Sequence, residues 1–418
     1  MSRKLFPVLL ILFLFSMAFS RTVVTFMTQW TGPEYQVIAS MAEKFNSIQD
    51  EYEVKILSVS NIAEKFLTSL AAGNPPDILH ANDQYVAPLV AMGAIEPIND
   101  IEKYGVNLDE YRKEALEAIK YKGDLYGVPI KLDIFGIFWN KDLFKKAGLD
   151  PDNPPTSLNE LMEYAKKLTE YDQNGDIKTL GFDPGYNDKW TWPHVWPYYF
   201  GGSLIDKDGK ITANAPECVE AYKWFQKLSE LYGTKDMLEK FVGGYGPYWS
   251  ASNQFVSERV VITFSGDWLA KIIDLYNPEM NWGFAPFPSK DEKPRAYTEI
   301  DIAVIPKGAK HVDGAKKFLA FVSKPENTLK FLVPVSVLKE DYVNKYRDAM
   351  ISFPHRDLFQ KIAGGVRLFF APATPVWQEY LTHLTTAFLD VLFLRTTPID
   401  ALNDVQKKVS KALKMMSM

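Results

Sequence analysis

Cysteine is almost absent: Cys218 is the only one in 418 residues. No intramolecular disulfide is therefore possible, and stability must come from core burial, for which this length suffices for two domains. Histidine is scarce as well. The five residues, at 80, 194, 311, 355 and 383, show no zinc-ligand spacing. The sequence contains no glycine-rich phosphate loop of the P-loop or dinucleotide type, and no Gly-x-Ser-x-Gly elbow. Repeats and low-complexity tracts are missing too. Asp172-Gln173-Asn174-Gly175-Asp176 begins like a calcium loop but lacks the glycine at the sixth place and the distal glutamate, so it reads as a tight polar turn. Neither a metal nor a cofactor is expected.

Long hydrophobic runs are confined to the start. Arg3 and Lys4 precede an apolar stretch from Leu5 to Phe15, and Ala18-Phe19-Ser20 places small residues at −3 and −1. This is the pattern of a secretory leader cleaved before Arg21, and the run is shorter than the ~20 residues of a membrane span. The leader has no cysteine for lipid attachment, so a soluble periplasmic or secreted protein is expected. Loss of Arg3 and Lys4 takes the net charge from −5 to −7. A mildly acidic chain argues against nucleic acid and against an anionic membrane surface.

What is present is an alternation of strands and helices. Thr22–Thr28 reads as a strand, 34–46 as a helix, 53–58 as a strand, 62–72 as a helix, and 78–80 as a third strand before a helix over 84–92. An α/β fold built on mainly parallel sheets follows. Ligands on such sheets sit at the carboxyl ends of strands, a rule that nominates Trp30 and Asp83. Asp83 can equally cap the next helix. Gly123-Asp124 marks a hairpin-type turn. Asp142 is placed to cap a short helix ended by Gly148, and Thr156 or Ser157 to start one with Leu158, Leu161, Ala165 and Leu168 on one face.

Four pieces follow one another within fifty residues: Tyr-Gly-Val-Pro (126–129), Trp-Asn-Lys-Asp-Leu-Phe (139–144), Ala-Gly-Leu (147–149) and Pro-Pro-Thr-Ser-Leu-Asn-Glu-Leu (154–161). Together they resemble the signature region of the bacterial extracellular solute-binding proteins of the maltose-binding type, the receptors of ABC importers. Gly73 to Ile78, Phe264-Ser265-Gly266-Asp267-Trp268, Ala303 to Phe331, and the helical stretches 374–392 and 398–413 resemble the same family. The middle, 181–247, does so only diffusely. The resemblance implies two α/β lobes joined by hinge crossings, a type II-like binding-protein fold. The N-terminal lobe would be 21–130 plus 286–333 and the C-terminal lobe 131–285 plus 334–418. The crossings are expected near Ile130–Asp133 and Phe284–Phe287, with closure over a ligand by lobe rotation.

Aromatic residues are 14% of the chain, and they cluster where loops are expected. Trp190, Trp192 and Trp196 stand with His194, Tyr198, Tyr199 and Phe200. Tyr245, Tyr248 and Trp249 share a Gly/Pro-rich loop, Trp268 follows a strand end, and Trp377 opens a helix. A sugar ring presents an apolar C–H face to such rings and a rim of hydroxyls to Asp, Glu, Asn and Lys. For the 190–200 cluster, core packing is the competing reading. The resemblance adds Asp133, just past the first crossing, with Lys131 on the same side of the strand, and Asp301; Glu299 stands where relatives carry glycine. The expected ligand-binding set is Trp30, Asp83, Asp133, Trp192, Trp196, Tyr245, Trp249, Trp268, Asp301 and Trp377. The expected function is capture of a carbohydrate, an oligosaccharide, by a monomeric receptor that passes it to an integral-membrane permease. A glycerol phosphate or other polar solute is the alternative ligand, with Arg295 and Arg367 as the nearest anion contacts. A secreted glycoside hydrolase, with two opposed carboxylates, is the remote alternative function.

Overall fold

The structure, a computed structural model, describes residues 21–185, 192–331 and 333–416. The expected leader and Trp190 lie outside them. Among the described residues no helix is long and apolar enough to cross a membrane.

The organising element is the strand Gly127–Asn140, fourteen residues buried throughout. Its β-branched and aromatic residues (Val128, Ile130, Ile134, Phe135, Ile137, Phe138) favour an extended chain covered on both faces. Its first half pairs antiparallel with Arg295–Pro306, and its second half with Val260–Gly266 and Trp282–Ala285. On one side the sheet continues through Ile78–Asn82 to the parallel strands Thr22–Thr28 and Tyr52–Ser58. On the other it continues through Val260–Gly266 to the parallel strand Ile177–Asp183. Two parallel-cored halves are thus joined by antiparallel crossings. The return crossing lies later than expected: Trp282–Ala285 stays within the second half, and Arg295–Pro306 carries the chain back. Arg295–Tyr297 pair with Arg367–Phe369 before Thr298 onwards joins the long strand.

Alternation along the long strand divides the packing. Ile134 and Phe138 enter one core with the first three strands and the helices Gly32–Ser47 and Val312–Val322. Phe135, Ile137 and Trp139 enter a second with the helices Pro216–Tyr232, Trp377–Leu392 and Pro398–Met416.

Most local expectations hold, two of them with different residues. Ser157 caps the helix Leu158–Leu168, which buries Leu161, Ala165 and Leu168. The helix Lys141–Lys146 is capped by Asn140, not Asp142: its Oδ1 accepts from the Asp142 and Leu143 amides, each at 3.0 Å. Asn140 ends the strand with extended backbone, as an N-cap requires, whereas Asp142 is already inside the helix. The expected turn at Gly123-Asp124 falls one residue earlier: Lys122 and Gly123 both have left-handed φ, as a two-residue hairpin needs, and Asp124 is already in the strand. Asp172 closes its turn by accepting from the Asn174 and Asp176 amides.

Gly136 lets Trp282–Ala285 approach the long strand. A Cβ there would lie 2.3 Å from the Ala285 carbonyl oxygen and 2.7 Å from the Phe284 ring. Gly136→Ala is expected to cost about 1–3 kcal/mol, read as a lower denaturant midpoint at unchanged slope. An unchanged midpoint would contradict the close packing.

Candidate functional site

Register puts four charged side chains on one face of the crossings. Lys131 faces Asp301 and Asp133 faces Glu299 across the antiparallel ladder, and residues two apart on a strand share a face. The Lys131 ammonium is 2.8 Å from Glu34, 3.1 Å from Asp301 and 3.3 Å from Asp133. Glu34 comes from the first turn of the helix Gly32–Ser47. Asp301 also accepts from Asn82 Nδ2 at 2.7 Å and meets His80 Nε2 at 3.0 Å. His80 Nδ1 reaches Thr28 Oγ1 at 3.0 Å, and that oxygen accepts from the Trp30 amide.

Burial and charge set the protonation of this network. Burial alone would lower the Lys131 pKa, but its three carboxylates raise it well above the usual lysine range. Burial pushes Asp301 up, yet Lys131 and His80 outweigh it and hold the carboxyl down at about 2. Burial raises Asp133 to about 7 against the pull of Lys131. Glu299 is pushed up to about 8 by burial and by the nearby Asp83 carboxylate. Asp267, buried beside Asp133, stands well above the carboxylate range for the same two reasons, burial and like charge. Asp267 Oδ2 accepts from the Ile134 amide, while the Oδ1 atoms of Asp133 and Asp267 have no donor among the described residues.

Above this acidic floor lies a cavity of about 660 Å³, well within the roughly 300–1,000 Å³ of small-molecule sites. Both halves of the chain line it. Trp30 enters from the first, its ring 4.1 Å from that of His80. Trp192, Trp249 and Trp268 enter from the second. Trp268 is fixed by an indole N–H donated to Tyr248 at 3.0 Å and by edge contact with Phe135 at 5.1 Å. Gly266 two residues before it is obligatory, since a Cβ there would lie 2.1 Å from the indole. His194 lines the cavity while 2% exposed, and neither ring nitrogen has a partner among the described residues. Burial drives its pKa down to about 3, so it is a neutral imidazole with one donor and one acceptor unspent.

Six of the ten expected residues therefore line one cavity: Trp30, Asp133, Trp192, Trp249, Trp268 and Asp301. Four do not. Asp83 neither caps a helix nor faces the cavity; its buried carboxylate accepts from the Ile300 amide at 3.0 Å and steadies the return crossing. Trp196 is fully buried in the second core, against Phe225 and Phe264. Tyr245 packs edge-on to Phe241, beside the Arg259 guanidinium. Trp377 is fully buried and donates its indole N–H to Gln84 at 2.9 Å, tying the two halves together. Lys131 and Glu299, which the sequence raised without placing, line the cavity with the unanticipated Glu34, Asn82, Gln84, Tyr85 and Tyr276. The alternation Lys-x-Asp facing Glu-x-Asp was the one signal for the first two.

Residues 40–336 match the family described as bacterial extracellular solute-binding proteins. The chain belongs to that family. Solved two-lobed binding proteins share its fold. CpMnBP1 with mannotriose bound is 30% identical, with a TM-score of 0.84 over 93% of this chain and 100% of that one. An uncharacterised ABC-transporter extracellular-binding protein of Pyrococcus horikoshii is 27% identical over 71% of this chain and 67% of its own length. The sn-glycerol-3-phosphate-binding periplasmic protein UgpB of Escherichia coli K12 is 27% identical over 73% of this chain and 71% of its own.

The raised carboxyls make a pH prediction for this solute-binding protein. Glu299, Asp83 and Asp133, at about 8, 7 and 7, keep protons in the folded state that the unfolded chain has lost. Their contribution is full below the unfolded value near 4 and is lost as pH rises through the folded values. The denaturant midpoint should therefore fall between pH 5 and pH 8, and Glu299→Gln should flatten that fall. A midpoint rising over this range would contradict the assignment.

Proposed function

We propose that this chain is the solute-capturing receptor of an ABC importer and that its solute is a neutral oligosaccharide. One observation carries the ligand class. The cavity sets indoles beside a carboxylate-rich floor, and the single lysine or arginine among its described lining residues, Lys131, is already engaged by three carboxylates. Indole faces suit the C–H face of a sugar, while ionised carboxylates make strong hydrogen bonds to hydroxyl donors. The relative carrying mannotriose supports the same reading.

The glycerol-phosphate alternative, favoured by the name of the E. coli relative, meets the wrong charge. Arg295 is engaged outside the cavity with Asp291 and the Tyr198 carbonyl, and Arg367 is exposed in its edge strand. The helix N-terminus at Gly32 faces the cavity, the place where a phosphate would find free amides. There Pro33 removes one donor, and Glu34 supplies a carboxylate in the same turn.

We read the lobes as 21–130 plus 295–333 and 131–294 plus 334–418, the second boundary moved from the expected 286 to the start of the return crossing, closing about the two crossings. Closure follows only if the ligand binds the closed form better than the open one. Contacts from Trp30 on one side and Trp192, Trp249 and Trp268 on the other supply that difference. The leader directs the chain outside the inner membrane and is cleaved before Arg21. The monomer then delivers its sugar, uncut, to an integral-membrane permease and has no role with nucleic acid.

A melting screen against mono- and oligosaccharides and glycerol phosphates tests this. A true ligand at a hundred times its dissociation constant adds about 2.7 kcal/mol, and Trp268→Ala should abolish the shift. No sugar should gain reducing ends on incubation. A flat response to sugars with a shift from glycerol 3-phosphate would overturn the reading.

A further inference from the structure

Asp267 is fully buried just past the strand Val260–Gly266, one residue before Trp268. The long crossing strand holds it at two points. Its amide donates to the Ile134 carbonyl at 3.0 Å, and its Oδ2 accepts from the Ile134 amide at 3.1 Å. The side chain thus adds one more rung to the ladder in which Gly266 faces Phe135. The Asp267 carbonyl accepts from the Ala270 amide at 3.0 Å, at the start of the helix Leu269–Tyr276. The backbone that carries the Trp268 indole is therefore tied to the strand that carries Lys131 and Asp133.

Asp133, unlike Asp267, lines the central cavity. Its Oδ2 meets the Lys131 ammonium at 3.3 Å. Its Oδ1 and the Oδ1 of Asp267 are both shut off from solvent without a donor among the described residues. Yet the two carboxyls stand in hydrogen-bonding contact with each other. Ionised carboxylates only accept, and two like charges in contact at a buried site are not both held. One proton between them supplies the missing donor and removes the repulsion together. We propose that Asp267 is a positioning residue of the receptor: as a neutral acid it donates to Asp133, and so holds the Asp133 carboxylate and the Trp268 indole in the arrangement that takes a sugar. This rests on the carbohydrate reading above and deepens it, naming a side chain outside the cavity that acts on two within it.

The surroundings put the proton on Asp267 and the charge on Asp133. Burial and the neighbouring Asp133 charge hold Asp267 well above the carboxylate range, while Lys131 pulls Asp133 down against its burial. The other groups that face the pair bring no second cation. Glu34 reaches it through Lys131, Glu299 and Asp301 stand on the return crossing, and Tyr248 bonds the far side of the Trp268 indole. Loss of the shared proton at alkaline pH therefore sets two anions against each other with one lysine already engaged.

An asparagine at 267 reproduces the neutral acid, since its carbonyl accepts from Ile134 and its amide donates to Asp133. Infrared difference spectra test the proton without a ligand. At pH 8 the wild type should show a protonated-carboxyl band that Asp267→Asn lacks, and identical spectra would overturn the proposal. Titration calorimetry with mannotriose, cellotriose and maltotriose reads the positioning. For the sugar that the wild type binds, Asp267→Ala should lose about tenfold in affinity at pH 7, and Asp267→Asn should recover most of that loss. From pH 7 to pH 10 the wild type should weaken by about tenfold more than Asp267→Asn. The fall common to both belongs to Glu299, whose carboxyl stands at about 8. Parallel pH profiles, or an asparagine variant as weak as the alanine one, overturn the proposal. Failure of all three sugars to bind the wild type overturns the carbohydrate reading instead, and the infrared band still decides where the proton lies.

Discussion

The molecule turns on a buried ammonium. Lys131 sits on the long crossing strand, facing the return crossing and within reach of the first helix, and three carboxylates close on it. Burying a charge costs several kcal/mol unless it is paired, and breaking such a cluster by removing one member is more costly than never building it. The cluster therefore fixes the register of the two crossings at the point where the two halves meet. It also sets the chemistry of the cavity above it. The cation is used up internally, so the floor presents acceptors to a ligand rather than positive charge.

The same arrangement explains why several acids beside it remain protonated. Six carboxyl groups, of Glu34, Asp83, Asp133, Asp267, Glu299 and Asp301, occupy this neighbourhood. Asp301 takes the strongest share of the positive charge and stays low, while Asp83, Asp133, Asp267 and Glu299 are raised first by burial and then by neighbouring carboxylates, Asp301 among them. A protonated carboxyl donates as well as accepts. The floor thus offers both hydrogen-bond roles without net positive charge, which suits hydroxyls and repels phosphate.

Much of the frame was legible in the sequence because it is local. Strand–helix alternation gave the first half, and capping and hydrophobic spacing gave Leu158–Leu168. The two crossings were harder. The facing of Lys131 with Asp301, and of Asp133 with Glu299, joins segments far apart in the chain, and no local period reports it. The tryptophans show the other limit. Trp192 and Trp196 lie four residues apart in one cluster, yet one lines the cavity and the other is core, because a short helical turn at 196–199 swings the second indole inward. Trp377 opened a helix as expected, but its contact with Gln84 depends on how the halves dock. His194 was visible only as a neighbour of the aromatics; that its two ring nitrogens have no hydrogen-bond partner among the described residues is a property of the assembled cavity.

The central claim is that a satisfied cation and a surplus of acids make this a site for uncharged polyols. Calorimetric titration of a neutral oligosaccharide beside the same oligosaccharide carrying one terminal phosphate tests it most directly. The account predicts that the neutral compound binds and that phosphorylation weakens or removes binding at every salt concentration. Tighter binding of the phosphorylated compound, with Lys131 as its partner, would contradict it.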